Sequence, residues 1–225
     1  MYFVAKPIVT NGLIFQVDPA NTLSYTSGSS TVTSLAGNNI TGSVPSAVDY
    51  SNDVQGSFVF DRSNSIQTNF KLLDYFNDND DFTVSVWFNM SSAVNQTATI
   101  GNRAFNNGGW MIYDYYGEIR LYGYSGSATF SVNIVGTGFN PDNTWTNYTY
   151  TVQNQTGSVY YNGQFRKTGD TFKYRSLDTP SMWIGSAADT LRFSGSIGVT
   201  QIYNRALSSS EVQQNFNALK GRYGI

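Results

Sequence analysis

Few side chains here can do covalent or acid–base chemistry, because the 225 residues include no cysteine and no histidine. Disulfides, thiolate nucleophiles and imidazole bases are excluded together, and with them Cys/His zinc sites, Ser-His-Asp triads and Cys-His dyads. Any catalysis would have to rest on carboxylates, Lys or Tyr. The serines Ser208, Ser209 and Ser210 have no base at motif spacing to activate them and read as a helix cap. Three neighbouring aspartates, Asp78, Asp80 and Asp81, offer hard oxygen ligands of the kind calcium takes, although their loop lacks the Gly and terminal Glu of an EF-hand. The competing and preferred reading is a solvated turn whose Asp and Asn side chains bond their own backbone.

Binding chemistry is better represented, in the stretch from Trp110 to Tyr124. With Tyr116-Gly117 as the turn of a hairpin, Met111, Tyr113 and Tyr115 share a face with Glu118, Arg120, Tyr122 and Tyr124, opposite Trp110, Ile112, Ile119 and Leu121. The apolar set is core. The other set joins flat rings with polar tips to a guanidinium, a composition suited to sugar stacking or to a protein interface. Tyr113, Tyr115, Arg120, Tyr122 and Tyr124 are therefore the candidate binding residues. Tyrosine is also a favoured strand residue, so ordinary cross-strand pairing is the alternative.

Composition limits the partners. Charged residues make up 12% and aromatics 16% of the chain, with a net charge of −2 and Lys and Arg scattered singly. No electrostatic footprint for a phosphate backbone exists, so nucleic acid is excluded as a partner. A weakly charged surface must recognise its partners through local contacts. The opening Met1-Tyr2-Phe3-Val4-Ala5-Lys6-Pro7 lacks a basic segment followed by an apolar one, and no apolar run reaches about 18 residues. The expectation is a soluble chain, not exported through a signal peptide and not membrane-bound.

The elements that must position these groups are short strands. Residues 12–18 form one, followed by a Ser/Gly/Thr/Asn-rich loop region to about Pro45. Residues 56–61 and 65–68 suggest a hairpin. From Phe82 to Phe88 the chain alternates Phe82, Val84, Val86 and Phe88 against Thr83, Ser85 and Trp87, which predicts a half-buried strand. Further strands follow at Thr97–Gly101, Trp110–Tyr115, 119–124, 145–152, 158–161, 164–168, 182–185 and 197–203. Asn162-Gly163 is a strong hairpin signal because both residues accept positive φ. One amphipathic helix is predicted near the C-terminus, where Ser208 to Glu211 has the form of a capping box, Val212, Phe216 and Leu219 share a face, and Gly221 supplies the stop. Many short strands without alternating helices predict an all-β, two-sheet antiparallel jelly-roll sandwich with one short C-terminal helix. A single domain, 1–225 with its core over about 12–219, fits this length.

Three segments carry a resemblance: FTVSVWF at 82–88, VYYNGQ at 159–164 and FSGSIGVTQIYNRALS at 193–208. In order and spacing they resemble the laminin-G-like, concanavalin A-like lectin/glucanase superfamily, with Trp145 where that family places a Trp before the strand leading to its Asn-Gly hairpin. The resemblance implies a concanavalin A-like fold in which Trp87 and Trp145 are packing residues. Enzymes of the superfamily carry a Glu-x-Asp-x-x-Glu strand that sets acid and nucleophile about 5–5.5 Å apart. Only two glutamates exist here, Glu118 in the hairpin and Glu211 in the capping box, so the motif is absent and the expectation is a non-enzyme. Relatives that bind calcium do so on rim loops, which is where Asp78, Asp80 and Asp81 would fall.

The tail from Gln213 to Ile225 resembles structural proteins of tailed, especially marine, bacteriophages. That implies a virion protein, either a capsid-surface decoration protein or a fibre component, whose jelly roll is an adhesive unit contacting virion proteins of head or tail. The competing expectation is a lectin module recognising host or environmental glycans; both can hold in one protein, and a second copy of the chain is a further candidate partner. A glycoside hydrolase is the third, disfavoured reading.

Overall fold

A computed structural model of the chain describes residues 6–91, 96–102, 108–126, 128–133, 143–176, 181–187 and 191–225. The first strands are β1 (Leu13–Val17), β2 (Thr31–Thr33), β3 (Thr41–Ser43), β4 (Asp49–Ser51), β5 (Ser57–Asp61) and β6 (Ile66–Thr68). The middle of the chain supplies β7 (Phe82–Met90), β8 (Thr97–Gly101), β9 (Trp110–Tyr115), β10 (Glu118–Ser125) and β11 (Ala128–Asn133). Then come β12 (Thr146–Gln153), β13 (Thr156–Tyr161), β14 (Gln164–Thr171), β15 (Trp183–Ile184), β16 (Ser194–Tyr203) and the helix α1 (Ser209–Leu219).

These strands build two antiparallel sheets. One runs β14-β13-β12-β7-β16-β5-β4, with β1 also paired to β16; the other runs β11-β10-β9-β8-β15-β6-β3-β2. Alternation puts Phe82, Val84, Val86 and Phe88 of the first sheet against Trp110, Ile112, Ile119 and Leu121 of the second, all within one buried core. The Phe82 and Trp110 rings stack 5.2 Å apart across the interlayer. The architecture is the predicted all-β two-sheet sandwich with one C-terminal helix.

Several local expectations are corrected. The hairpin expected over 56–61 and 65–68 does not form: β5 pairs β4 and β16, whereas β6 pairs β3 and β15 in the opposite sheet. Phe58 and Phe60 enter the core from one layer and Ile66 from the other, so the link between the strands is a corner that crosses the sandwich. The loop region to Pro45 contains β2 and β3, three residues each, hidden in the sequence because Val32 is the one large apolar side chain either carries. The strand β11 was not expected either, although Ala128, Phe130 and Val132 alternate there with Thr129, Ser131 and Asn133. The strand β7, expected to be half-buried, is covered on both faces.

The second cover is α1, which lies on the outer face of β7, β13 and β16. Trp87 stacks on Phe216 at 5.5 Å and on Tyr223 at 4.1 Å. Asn162 (φ 48°) and Gly163 (φ 72°) make the expected hairpin turn, and a side chain at Gly163 would collide with the Phe216 ring. Asn215, invisible to an apolar pattern, is buried on the same helical face; it donates to Tyr203 Oη at 2.9 Å and accepts from Val9 N at 2.8 Å. The helix does not stop at Gly221. It passes into a 3₁₀ turn, Lys220–Tyr223, and the left-handed residue is Gly224.

The capping box forms as read: Glu211 N donates to Ser208 Oγ at 3.3 Å and Ser208 N donates to Glu211 Oε2 at 2.9 Å. Arg205 adds a fork, Nη1 to Oε2 at 2.9 Å and Nη2 to Oε1 at 2.6 Å. Those hydrogen bonds from Arg205, ahead of the ones from Ser208, lower the Glu211 pKa from 4.5 to about 2. A carboxylate held low contributes stability that is present above its unfolded value and lost as pH falls through the folded one. The melting-temperature advantage of the wild type over Glu211→Gln should therefore shrink between about pH 5 and pH 2. A difference that stayed constant across that window would remove the ion pair from the account.

Candidate functional site

The hairpin of β9 and β10 has the register read from its sequence. Tyr115 faces Glu118, Tyr113 faces Arg120 and Met111 faces Tyr122, while Ile112 and Leu121 oppose each other on the core side. The turn residues Tyr116 (φ 54°) and Gly117 (φ 86°) both take the left-handed conformation. Asp114 was missed by the sequence reading. It is buried on the core face, opposite Ile119, and its Oδ1 accepts from Gly117 N at 3.0 Å, which pins the turn. A lone Asp in an otherwise apolar alternation, three residues before the turn glycine, was the available signal. The hairpin is also tied to the opposite sheet, because Tyr150 Oη donates to the Ile119 carbonyl at 2.8 Å. Burial raises the Tyr150 pKa well above its ordinary value and keeps that hydroxyl a donor.

On the outer face, Tyr113, Tyr115, Arg120, Tyr122 and Tyr124 come together. With Met111, Gln96 and Leu191 they line a cleft of about 450 Å³. All five candidate binding residues thus surround one concavity. They are not equally outward: Tyr113 and Tyr124 are buried and pack with Met111, Ala98 and Ala187, forming the floor, whereas Tyr115 stands at the exposed margin. Gln96 and Leu191 were not readable as site residues. They arrive from segments distant in sequence, Leu191 held in place where its carbonyl accepts from Ala98 N at 2.8 Å.

The cleft combines two kinds of group. Its ring faces are hydrophobic surfaces on which C–H groups can stack, and phenol hydroxyls and an amide at their margins can donate or accept. Arg120 is the one cation among the described lining residues. Its Nε donates to Glu118 Oε2 at 3.1 Å, and its guanidinium carbon sits 4.4 Å from the centre of the Tyr115 ring. The pair is charge-balanced and fixes the Tyr115 ring.

The three aspartates of the rim loop take separate partners. Asp78 Oδ1 accepts from Ser176 N at 2.7 Å and from Ser176 Oγ at 3.0 Å, Asp80 Oδ2 accepts from Asn77 N at 2.8 Å, and Asp81 Oδ1 accepts from Asn154 N at 2.7 Å. Asp80 makes the local turn bond expected of such a loop, while Asp78 and Asp81 fasten it to remote segments. A calcium cage needs six to eight oxygens converging at about 2.3–2.6 Å. Among the described residues no group of three or more acidic side chains is placed to hold a metal ion. Glu118 and Glu211 are each paired with an arginine, Glu118 at the start of β10 and Glu211 in α1, which covers the other sheet. Trp87 and Trp145 belong to the packing under α1.

The fold is a two-sheet jelly-roll sandwich with an aromatic cleft on one sheet face. The chain belongs to the concanavalin A-like lectin/glucanases superfamily, whose laminin G-like model matches residues 60–213. No curated protein sequence matches it significantly. Among solved structures, it is similar to the binding domain of Paraclostridial Mosquitocidal Protein 1, with a TM-score of 0.73, 20% identity and coverage of 93% of this chain and 52% of that one. Domain 4 of the extracellular arabinanase AbnA from Geobacillus stearothermophilus, solved with arabinotriose, gives 0.70 at 20% identity, covering 90% and 97% of the two chains. The binding domain of botulinum neurotoxin serotype G gives 0.70 at 15%, covering 91% and 50%. The chain thus spans about half of each toxin binding domain and nearly all of the arabinanase domain. At these identities the likeness is one of fold; none of the three is a phage protein.

Proposed function

We propose that this is a glycan-binding, lectin-type domain whose site is the tyrosine-lined cleft on the outer face of β9 and β10. The gathering of Tyr113, Tyr115, Arg120, Tyr122 and Tyr124 around one concavity carries the reading. Stacking rings with polar margins suit a sugar, which presents a C–H face ringed by hydroxyls. The arabinotriose complex of the arabinanase domain supports it by showing that a sandwich of this fold can hold an oligosaccharide. A glycan array probed with the whole chain tests the proposal: selective binding is expected, and a blank array over neutral and acidic glycans would overturn it.

The domain binds without cleaving. Each of the two glutamates engages its own arginine, Glu118 in the β9–β10 hairpin and Glu211 at the cap of α1, so they do not form the side-by-side pair that retaining hydrolysis uses. Laminarin, agarose and bound oligosaccharides should yield no reducing ends; release that disappears in Glu118→Gln would reverse this. A place in a phage particle, as decoration or fibre unit, rests on the tail resemblance, and the tail is taken up by packing. Phe216 and Tyr223 cover Trp87, and Arg222 pairs with Asp18 at 2.7 Å.

A further inference from the structure

We infer that the cleft is the inner end of a longer aromatic track, that Tyr116 at the hairpin tip is a further binding residue, and that the site takes a linear neutral oligosaccharide rather than a single terminal sugar. This rests on the glycan reading above. The rings form a continuous series: Tyr124 to Tyr122 at 5.2 Å, Tyr122 to Tyr113 at 6.2 Å, Tyr113 to Tyr115 at 5.9 Å and Tyr115 to Tyr116 at 4.7 Å between centroids. Exposure is greatest at the tip: Tyr124 and Tyr113 are 6% and 8% exposed and Tyr122 is partly buried, against 38% at Tyr115 and 60% at Tyr116. The series therefore starts in the cleft floor and ends in open solvent.

Tyr116 occupies a position that folding alone does not favour. The first central residue of a tight hairpin turn of this type takes positive φ, which suits Asn, Asp or Gly and strains a bulky side chain. This chain follows the preference in two other hairpins, where Asn154 and Asn162 take φ 48° at the corresponding place. At Tyr116 it instead holds a large ring at φ 54°. That ring meets Tyr115 edge-on at 90° and is otherwise mostly exposed, so packing returns little for the strain. Strain retained at an exposed aromatic beside a cleft points to a contact made outside the molecule. Among the described lining residues the only cation, Arg120, is charge-balanced by Glu118, so a neutral chain fits better than an acidic one.

The test is calorimetric titration of the wild type, Tyr116→Asn and Tyr122→Ala with arabino-, xylo-, cello- and laminari-oligosaccharides of increasing length. Asparagine relieves the turn, so Tyr116→Asn should melt at the same or a higher temperature. Wild-type affinity should climb with chain length for the ladder it accepts, and Tyr116→Asn should lose roughly five- to ten-fold on the longest members, as loss of one aromatic contact does, with no change on the shortest. Equal affinity of Tyr116→Asn and wild type at every length, while Tyr122→Ala loses binding, would overturn the track and leave the glycan site standing. Absence of binding to all four ladders by all three proteins would overturn the track for a linear neutral chain, while selective binding on the glycan array would keep the glycan reading.

Discussion

Replacing Trp87 with alanine is expected to lower the unfolding free energy by about 3–5 kcal/mol, the usual cost of deleting a large aromatic ring from a packed site. The ring is 1% exposed and sits where three elements meet. Below it lies β7; above it Phe216 and Tyr223 stack with interplanar angles of 7° and 9°. Tyr223 is itself held, because its hydroxyl accepts from Val199 N at 2.9 Å. Beside it, Arg222 donates to the Val54 and Gly56 carbonyls at 2.6 Å and 2.8 Å. Removing the indole leaves a cavity these anchored neighbours cannot readily fill. Urea unfolding of Trp87→Ala and the milder Trp87→Phe measures it, and an unchanged midpoint in the alanine variant would place α1 off the sheet. The cleft lies on the other sheet, so the fraction of protein that remains folded should still bind glycan.

Truncating Tyr122 to alanine should weaken glycan binding by about 2 kcal/mol, roughly thirty-fold in Kd, as loss of a central aromatic anchor does at many binding sites. Tyr122 stands between Tyr113 at 6.2 Å and Tyr124 at 5.2 Å and is only partly buried, so its loss removes stacking surface without opening the core. The melting temperature should move little. Titration with the glycan selected on the array, together with a thermal melt, separates the two effects. Unchanged affinity with a lowered melting temperature would make these tyrosines structural. Attention would then pass to the polar rim cleft of about 630 Å³ that includes Asp80, Asp81, Asn154 and Arg205.

Much of this architecture is legible in short stretches of chain. The two faces of β7, the faces and turn of the β9–β10 hairpin, the Asn162-Gly163 turn and the capping box at Ser208 and Glu211 all follow from rules that operate within a few residues. Side-chain alternation, positive φ at a turn and a cap bond across three positions are such rules. The tyrosine face was readable for the same reason: placing the turn at Tyr116-Gly117 settles the side taken by each residue from Met111 to Tyr124.

What only the tertiary structure decided involves residues far apart. That β5 and β6 belong to opposite sheets depends on pairings with β16 and β15, more than a hundred residues away. The cover over the polar-looking face of β7 comes from α1, and there Thr83 Oγ1 donates to the Arg205 carbonyl at 2.9 Å and accepts from Leu207 N at 2.8 Å. The same distinction holds at the site. Local alternation chose the face on which Tyr113 and Tyr124 lie, but their depth was set by Ala98, Ala187 and Leu191 packing around Met111. The aspartates that resemble a calcium loop in sequence are drawn to Ser176 and Asn154 by the closing of the rim. A strand's facing is fixed by backbone geometry over two residues, whereas its partners and its covering are fixed by which remote apolar surfaces must leave water together.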